Sequence, residues 1–521
     1  MRRVLMVAAA LVASGTVPAR AQVPDTVRVA QGRLAGVVAA SGVREFRGIP
    51  FAAPPVGRLR WRPPEPPPRW AGVRPAAAFA ARCMQQPIFS DMVFRSPGIS
   101  EDCLYLNVWA PPRATGRRLP VLVYFYGGGF VAGDASELRY DGESLARRGI
   151  VVVTPNYRLG VFGLLALRDL SRESRHHASG NYGFLDQVAA LRWVRSNIAA
   201  FGGDPARVTI GGESAGSMSV SALMASPLSR GLMAGAIGES GALFRPTAPP
   251  LPLLQAEEAG TAFMRHAGAT SLEGLRAMPA ESLLAAASGV WFRADVDGYF
   301  LPATPKDLFA EGRQSHVPLL AGWNSEEQDW HTLLGDSATP ARYDAVLDSM
   351  FGSRAAEARR LFPGATPEQV AESATLLAGA GFTVFSTWKW TDLQRRTGGR
   401  AVYRYVYAHP RPASRDPAAM PLHSGAVHSA EIEYALGNLA TNRVYAWTAT
   451  DSSISAAMES YLANFVKTGN PNGPGLPTWP RLAAGDSARV MVLDSTAHAE
   501  PSRHEAGFRF LDSWYTSRHH E

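Results

Sequence analysis

Val208-Thr209-Ile210-Gly211-Gly212-Glu213-Ser214-Ala215-Gly216 is the stretch on which the reading of this chain turns. Val208 to Ile210 is strand-like, and Ala215 to Met224 is compatible with a helix. Between them stands the pattern G-x-S-x-G, Gly212 to Gly216. A strand-to-helix turn that sharp holds its serine in a strained conformation with the hydroxyl exposed, and small flanking residues let strand and helix approach. A serine hydroxyl is a poor nucleophile until a histidine takes its proton. The motif therefore predicts a histidine and a buried acid further along the chain. The pentapeptide alone also arises by chance in Gly-rich sequences, so its surroundings decide.

Upstream, Leu104 to Trp109 alternates as a strand, and Val121 to Tyr126 is a nearly continuous apolar run ending in three glycines. Ile150 to Val153 is another such run, ending at Pro155. Continuous β-branched runs suit central strands covered on both faces. Leu185, Val188, Leu191, Val194, Ile198 and Phe201 recur every three or four residues, an amphipathic helix stopped by Gly202-Gly203-Asp204-Pro205. Strand and helix then alternate through Ser214, which argues for a mostly parallel sheet with helices on both faces. Residues 25 to 80 read as short strands and turns. Residues 255 to 290 and 340 to 400 have helical spacing and read as insertions that cap the sheet. No repeat and no long interdomain linker is evident.

Arg2 and Arg3, the apolar stretch Val4 to Val17 and Ala19-Arg20-Ala21 have the layout of an export signal, with the mature chain starting near Gln22. A buried N-terminal helix is the alternative. The apolar stretch is too short for a comfortable membrane span, and no later segment has about 18 uninterrupted apolar residues. The expectation is an exported protein, periplasmic or secreted, without a membrane span. The formal charge of +7 falls to +4 once Arg2, Arg3 and Arg20 leave with the signal. That balance, without long Lys/Arg runs, argues against nucleic acid as a partner. The two cysteines, Cys83 and Cys103, pair most simply as a disulfide in an oxidising compartment; two free thiols are the alternative. The bridge would close a loop of about 20 residues, a contribution of about 3 kcal/mol. Two cysteines do not make a zinc site, no H-E-x-x-H pattern accompanies them, and no metal is expected.

Tyr126-Gly127-Gly128-Gly129-Phe130 follows a buried strand. Acyl transfer builds negative charge on a carbonyl oxygen, and glycines let backbone N–H groups come close to it. Alone this is a plain Gly-rich turn. Beside G-x-S-x-G it reads as an oxyanion hole, with Gly128 and Gly129 donating and Ala215, after the nucleophile, adding a donor.

The stretch Phe201 to Gly216 resembles the serine signature of type-B carboxylesterases, and Glu101 to Asn107 resembles that family's second signature. Arg47 to Ala52, Asn156 to Gly160 and Gly180 to Gln187 are similar to further stretches typical of the family, in family order from about residue 27 to 480. The resemblance implies an α/β-hydrolase fold over residues 22 to 521 and a serine carboxylesterase needing no cofactor. The family's acid lies in a segment similar to Gly322-Trp323-Asn324-Ser325-Glu326-Glu327-Gln328, which points to Glu327. Gln328 stands where glycine is usual, so Glu326 stays a rival. The family's histidine precedes an acidic stretch, and Val427-His428-Ser429-Ala430-Glu431 matches it, which selects His428 from 12 histidines, His423 among them. Ser214, Glu327 and His428 stand in the chain order of α/β-hydrolases. The resemblance also implies a buried ion pair between Arg158 and Asp186, and the Cys83–Cys103 bridge. Glu213, beside the serine, either tunes the site electrostatically or only caps local N–H groups.

Cholinesterases carry a tryptophan in the loop closed by this disulfide, where its ring attracts a quaternary ammonium. Residues 84 to 102 contain Phe89 and Phe94 but no tryptophan. A small-molecule ester with an apolar or aryl part is therefore expected rather than a choline ester. Trp291, Phe292, Trp323 and Trp330 line a pocket or pack in the core. Cleavage of amides, carbamates or thioesters, and a non-catalytic binding role on the same scaffold, are the rival functions.

Overall fold

The computed structural model describes residues 24–113, 116–415 and 425–517. The leader expected over residues 1–21 and His423 lie outside them. A 13-stranded sheet organises the chain. At its centre run parallel strands in the spatial order Val151–Pro155, Leu119–Phe125, Gly203–Gly212, Gly235–Glu239, Leu319–Asn324, Val402–Tyr407 and Arg489–Leu493. Antiparallel strands flank them, Tyr105–Ala110 and the N-terminal hairpins on one side and Ala497–Pro501 on the other. This is the α/β-hydrolase architecture, with helices on both faces. The apolar runs read from sequence are its buried middle: Val121 to Phe125 and Val151 to Val153 are buried throughout.

Val151–Pro155 sits between Tyr105–Ala110 and Leu119–Phe125, so the chain crosses over before it returns. In open α/β sheets the crevice beyond the C-terminal ends of the strands is where ligands gather. The glycine run, Ser214, Glu327 and His428 all follow the C-terminal ends of parallel strands.

The amphipathic pattern forms the helix Tyr182–Asn197, which tightens to a 3-10 turn, Ile198–Phe201, and stops at Gly202 in a left-handed conformation with φ of 91°. Strand pairing resumes at Gly203, earlier than the apolar run beginning at Val208 suggests, with a register shift between the two.

The expected insertions are helical and cover the sheet unequally. Leu253–His266, Leu272–Ala277 and Ala280–Ala286 join the main core through Phe263, Leu275 and Leu283. Pro340–Phe351, Ala355–Leu361 and Pro367–Phe382 build a second core with the C-terminal helix Glu505–Ser517. Thr339-Pro340 and Thr366-Pro367 start two of these helices; each hydroxyl accepts a first-turn N–H, and each proline fills a position whose N–H has no partner. Val384–Thr397 joins the second core through Val384, Phe385 and Trp388 and also lies on the sheet. Its Trp390 rests against Gly238, where a Cβ would come within 2.2 Å of the indole.

Candidate active site

Gly203–Gly212 enters the elbow and Ala215–Ala225 leaves it as a fully buried helix. Ser214 between them has φ 54° and ψ −120°, a strained conformation for a residue with a side chain. The surrounding hydrogen bonds impose it: Ser214 N–H donates to Glu239 O at 2.8 Å and Gly216 N–H to Glu213 O at 2.7 Å. The flanking glycines are sterically required. A Cβ on Gly216 would stand 2.0 Å from Phe125 O, and one on Gly212 would stand 2.6 Å from the Gly216 backbone.

The structure brings together Ser214 and Glu327, just beyond two strand ends, and His428, from the longer connection after Val402–Tyr407. His428 Nε2 lies 3.0 Å from Ser214 Oγ, and Nδ1 lies 2.5 Å from Glu327 Oε2. Glu327 is buried, and its other oxygen accepts the Asn324 N–H at 2.8 Å. The rival Glu326 points elsewhere and accepts the Gly425 N–H at 3.1 Å. Gln328, the departure from the family pattern, accepts from Thr332 and leaves the acid in place.

Gly128 and Gly129 have φ of 104° and 61°. Among the described residues the N–H groups of Gly128, Gly129 and Ala215 make no hydrogen bond. Gly128 and Gly129 line the same cavity as Ser214 and His428. That cavity has a volume of about 620 Å³, and Met218, Leu243, Phe292 and Phe382 give it an apolar wall. Trp291 and Phe292 belong to this wall. Trp323 and Trp330 instead line a second cavity of about 610 Å³, where Trp323 packs edge-on against Phe508 and Trp330 stacks on His331. Of the disulfide loop, Phe89, Asp91 and Met92 reach the cavity, whereas Phe94 lies under Arg82. Cys83 and Cys103 are bonded, at an S–S distance of 2.06 Å. Arg158 holds Asp186 through Nε and Nη2, both at 2.8 Å, deep in the core.

Sequence reasoning singled out Glu213 but missed the buried carboxylates that join it behind the histidine, Glu431 and Glu239. Glu213 Oε1 accepts the Ser429 hydroxyl at 2.5 Å and lies 3.3 Å from His428 Nε2. Glu431 accepts from Asn324, and Glu239 accepts the Tyr124 hydroxyl at 3.1 Å. Burial opposes charging of the imidazole, but Glu213 and Glu327 outweigh it and lift the His428 pKa above its ordinary 6.5. Burial lifts the Glu213 carboxyl as well, against the pull of His428 and Ser429. Burial pushes Glu431 up to about 8, and its charge with that of Glu213 adds to burial in raising Glu239 further. Glu431 follows His428 in the quoted stretch, but nothing in the local pattern marks Glu239.

No group of three or more metal-ligating side chains occurs among the described residues. What the arrangement supports is acyl chemistry: a hydroxyl against an imidazole, an imidazole against a carboxylate, and unpaired N–H groups on one cavity.

Fold and site together define a carboxylic ester hydrolase of the α/β-hydrolase class. The carboxylesterase family model matches residues 23–510, and the chain belongs to that family. It is 36% identical over 493 residues to the fumonisin B1 esterase of Sphingopyxis macrogoltabida, covering 89% of this chain and 86% of that protein. It is likewise 36% identical over 475 residues to the para-nitrobenzyl esterase of Bacillus subtilis (strain 168), covering 87% and 92%. A solved PNB esterase structure superposes with a TM-score of 0.79 at 34% identity, covering 93% of this chain and 98% of that one.

Proposed function

We propose that the chain hydrolyses carboxylic esters through an acyl-enzyme on Ser214, with His428 as base and Glu327 as its orienting acid. The observation that carries this reading is the run of contacts from Ser214 Oγ to His428 Nε2 and from His428 Nδ1 to Glu327. Ser214 Oγ attacks the carbonyl carbon while its proton passes to His428 Nε2. The carbonyl oxygen becomes an oxyanion facing the N–H groups of Gly128, Gly129 and Ala215. The tetrahedral intermediate collapses, the bond to the alcohol oxygen breaks, and His428 returns the proton to the departing alcohol. Water then attacks the acyl-enzyme by the same route and releases the acid and the free serine. Glu327 keeps Nε2 free to accept the proton and stabilises the imidazolium that forms.

The apolar wall and the size of the cavity favour esters with an apolar or aryl part. The disulfide loop brings a phenyl ring, a thioether and a carboxylate paired with Arg139 to the cavity, but no indole, which supports the expectation against choline esters. The relatives' names, a para-nitrobenzyl esterase and a fumonisin B1 esterase, support ester cleavage as the reaction.

Residues 1–21 are proposed to direct export and residues 22–521 to form one catalytic domain, in the periplasm or secreted. The Cys83–Cys103 bridge supports an oxidising destination. No helix among the described residues is long and apolar enough to cross a membrane.

A fluorophosphonate ester tests the assignment of the nucleophile. Peptide mass spectrometry places one phosphonyl group on Ser214 if the reading is right. Inactivation with the label on another residue contradicts it.

A further inference from the structure

The charged groups on the wall of the active-site cavity are not equally compensated. Asp91 pairs with Arg139 at 3.1 Å, and Arg139 also holds Glu137 at 2.5 Å. Glu213 takes the Ser429 hydroxyl and faces His428. Arg293 lines the same cavity, yet among the described residues it has no carboxylate partner. Its charged neighbour is Arg245, exposed and likewise without an ion pair among the described residues. Both burial and the Arg245 charge hold the Arg293 guanidinium below its usual pKa. A guanidinium on the cavity wall with no carboxylate partner and a second arginine within electrostatic reach favours an anion there.

The pair is also held in place. The segments that carry the two arginines are tied by the short parallel pairing of Leu251–Pro252 with Asp295–Val296. Leu251 N–H donates to Ala294 O at 2.9 Å, and Arg293 Nη2 donates to Pro249 O at 2.5 Å. That bond fixes one edge of the guanidinium and leaves other N–H donors for a ligand.

Two residues before Arg293 stands Trp291, 68% exposed at the mouth. Its ring lies 3.6 Å from where a Cβ of Gly129 would be, beside the N–H groups assigned to the oxyanion. A step of two residues spans at most about 7 Å of backbone. An ester with its carbonyl at Gly128–Gly129 has an apolar surface beside it at Trp291, and the Arg293 guanidinium lines the same cavity.

We infer that Arg293, with Arg245 beside it, forms an anion site at the cavity mouth that selects esters bearing a carboxylate a few carbons from the scissile carbonyl. The inference rests on the esterase reading of Ser214 and adds a substrate class to it. Half-esters of dicarboxylic acids meet the requirement on the acyl side, and esters of carboxylated phenols meet it on the alcohol side.

The test compares matched substrates with the mature chain, residues 22–521. The acyl pair is 4-nitrophenyl hemiglutarate against 4-nitrophenyl valerate. The alcohol pair is 3-carboxyphenyl butyrate against phenyl butyrate. In at least one pair the anionic member is expected to lead in kcat/KM by about tenfold at low salt, mainly through KM, as a charge-assisted contact would give. Added salt shrinks the lead, because the site is exposed. In Arg245→Gln/Arg293→Gln the anionic-to-neutral ratio falls towards one, and Arg293→Lys restores part of it. Neutral members turned over with no anionic lead in either pair would overturn the inference and leave the esterase reading standing. A lead that survives the double substitution would also overturn it. No turnover of any of the four esters would bring down both readings.

Discussion

The carboxylate of Glu213 lies 3.3 Å from Nε2 of His428, the same nitrogen that reaches Ser214 Oγ at 3.0 Å. On the proposed mechanism, the residue next to the nucleophile shares the base with it. A carboxylate there favours the imidazolium, so it stabilises the protonated base formed during attack and also makes the resting base easier to protonate.

A pH dependence follows. His428 must be neutral to accept the serine proton, and its pKa is raised, so kcat/KM falls with acidification through a midpoint above 6.5. Glu213→Gln removes one of the three carboxylates, Glu213, Glu327 and Glu431, that raise it. The acid limb then moves to lower pH, while kcat on the plateau drops. A kcat/KM profile of both proteins from pH 5 to 10, on an ester stable over that range, is the measurement. Coincident acid limbs would show that Glu213 does not act on the base.

The two glycines assigned to the oxyanion differ in what they tolerate. A Cβ on Gly128 would stand 2.3 Å from Ala132 O with φ at 104°, whereas on Gly129 the nearest atom is 3.6 Å away with φ at 61°. Gly128→Ala therefore displaces its loop and is expected to lower kcat by about 10²- to 10³-fold, the effect of losing an oxyanion donor. Gly129→Ala meets only left-handed backbone strain of about 1–2 kcal/mol, and its kcat should fall far less. Steady-state kinetics on one ester rank the two; the reverse order would contradict the assignment.

Asp186 is fully buried against Arg158, whose Nη2 also donates to Arg62 O at 2.9 Å. Burial raises the Asp186 carboxyl pKa despite that partner, so the net value of the pair is modest. Breaking it is a different matter. Asp186→Ala leaves a buried guanidinium without its anion and is expected to cost about 3–5 kcal/mol. Denaturant midpoints measure the loss, and a change under about 1 kcal/mol would mean that water or Arg62 compensates the charge.

The parts most legible in the sequence were those set by local chemistry. Val121 to Phe125 and Ile150 to Val153 announced central strands because both faces are buried. Gly212 and Gly216 announced the elbow because no side chain fits where strand and helix cross. Glu327 and His428 were reached only through family resemblance. They meet across 101 residues of chain, and no local periodicity encodes that. Glu239 was missed for the same reason: its carbonyl holds the Ser214 N–H from a neighbouring strand. Trp323 and Trp330 show the limit for aromatics, since composition does not separate the wall of the active-site cavity from that of a second cavity in the helical lobe.

Hydrolysis of p-nitrophenyl acetate, butyrate and octanoate by residues 22–521, beside Ser214→Ala, tests the central claim most directly. The serine-esterase account predicts turnover of at least the shorter esters by the wild type and a loss of kcat of several orders of magnitude in the variant, with its fold intact by circular dichroism. Comparable turnover in folded Ser214→Ala would contradict it.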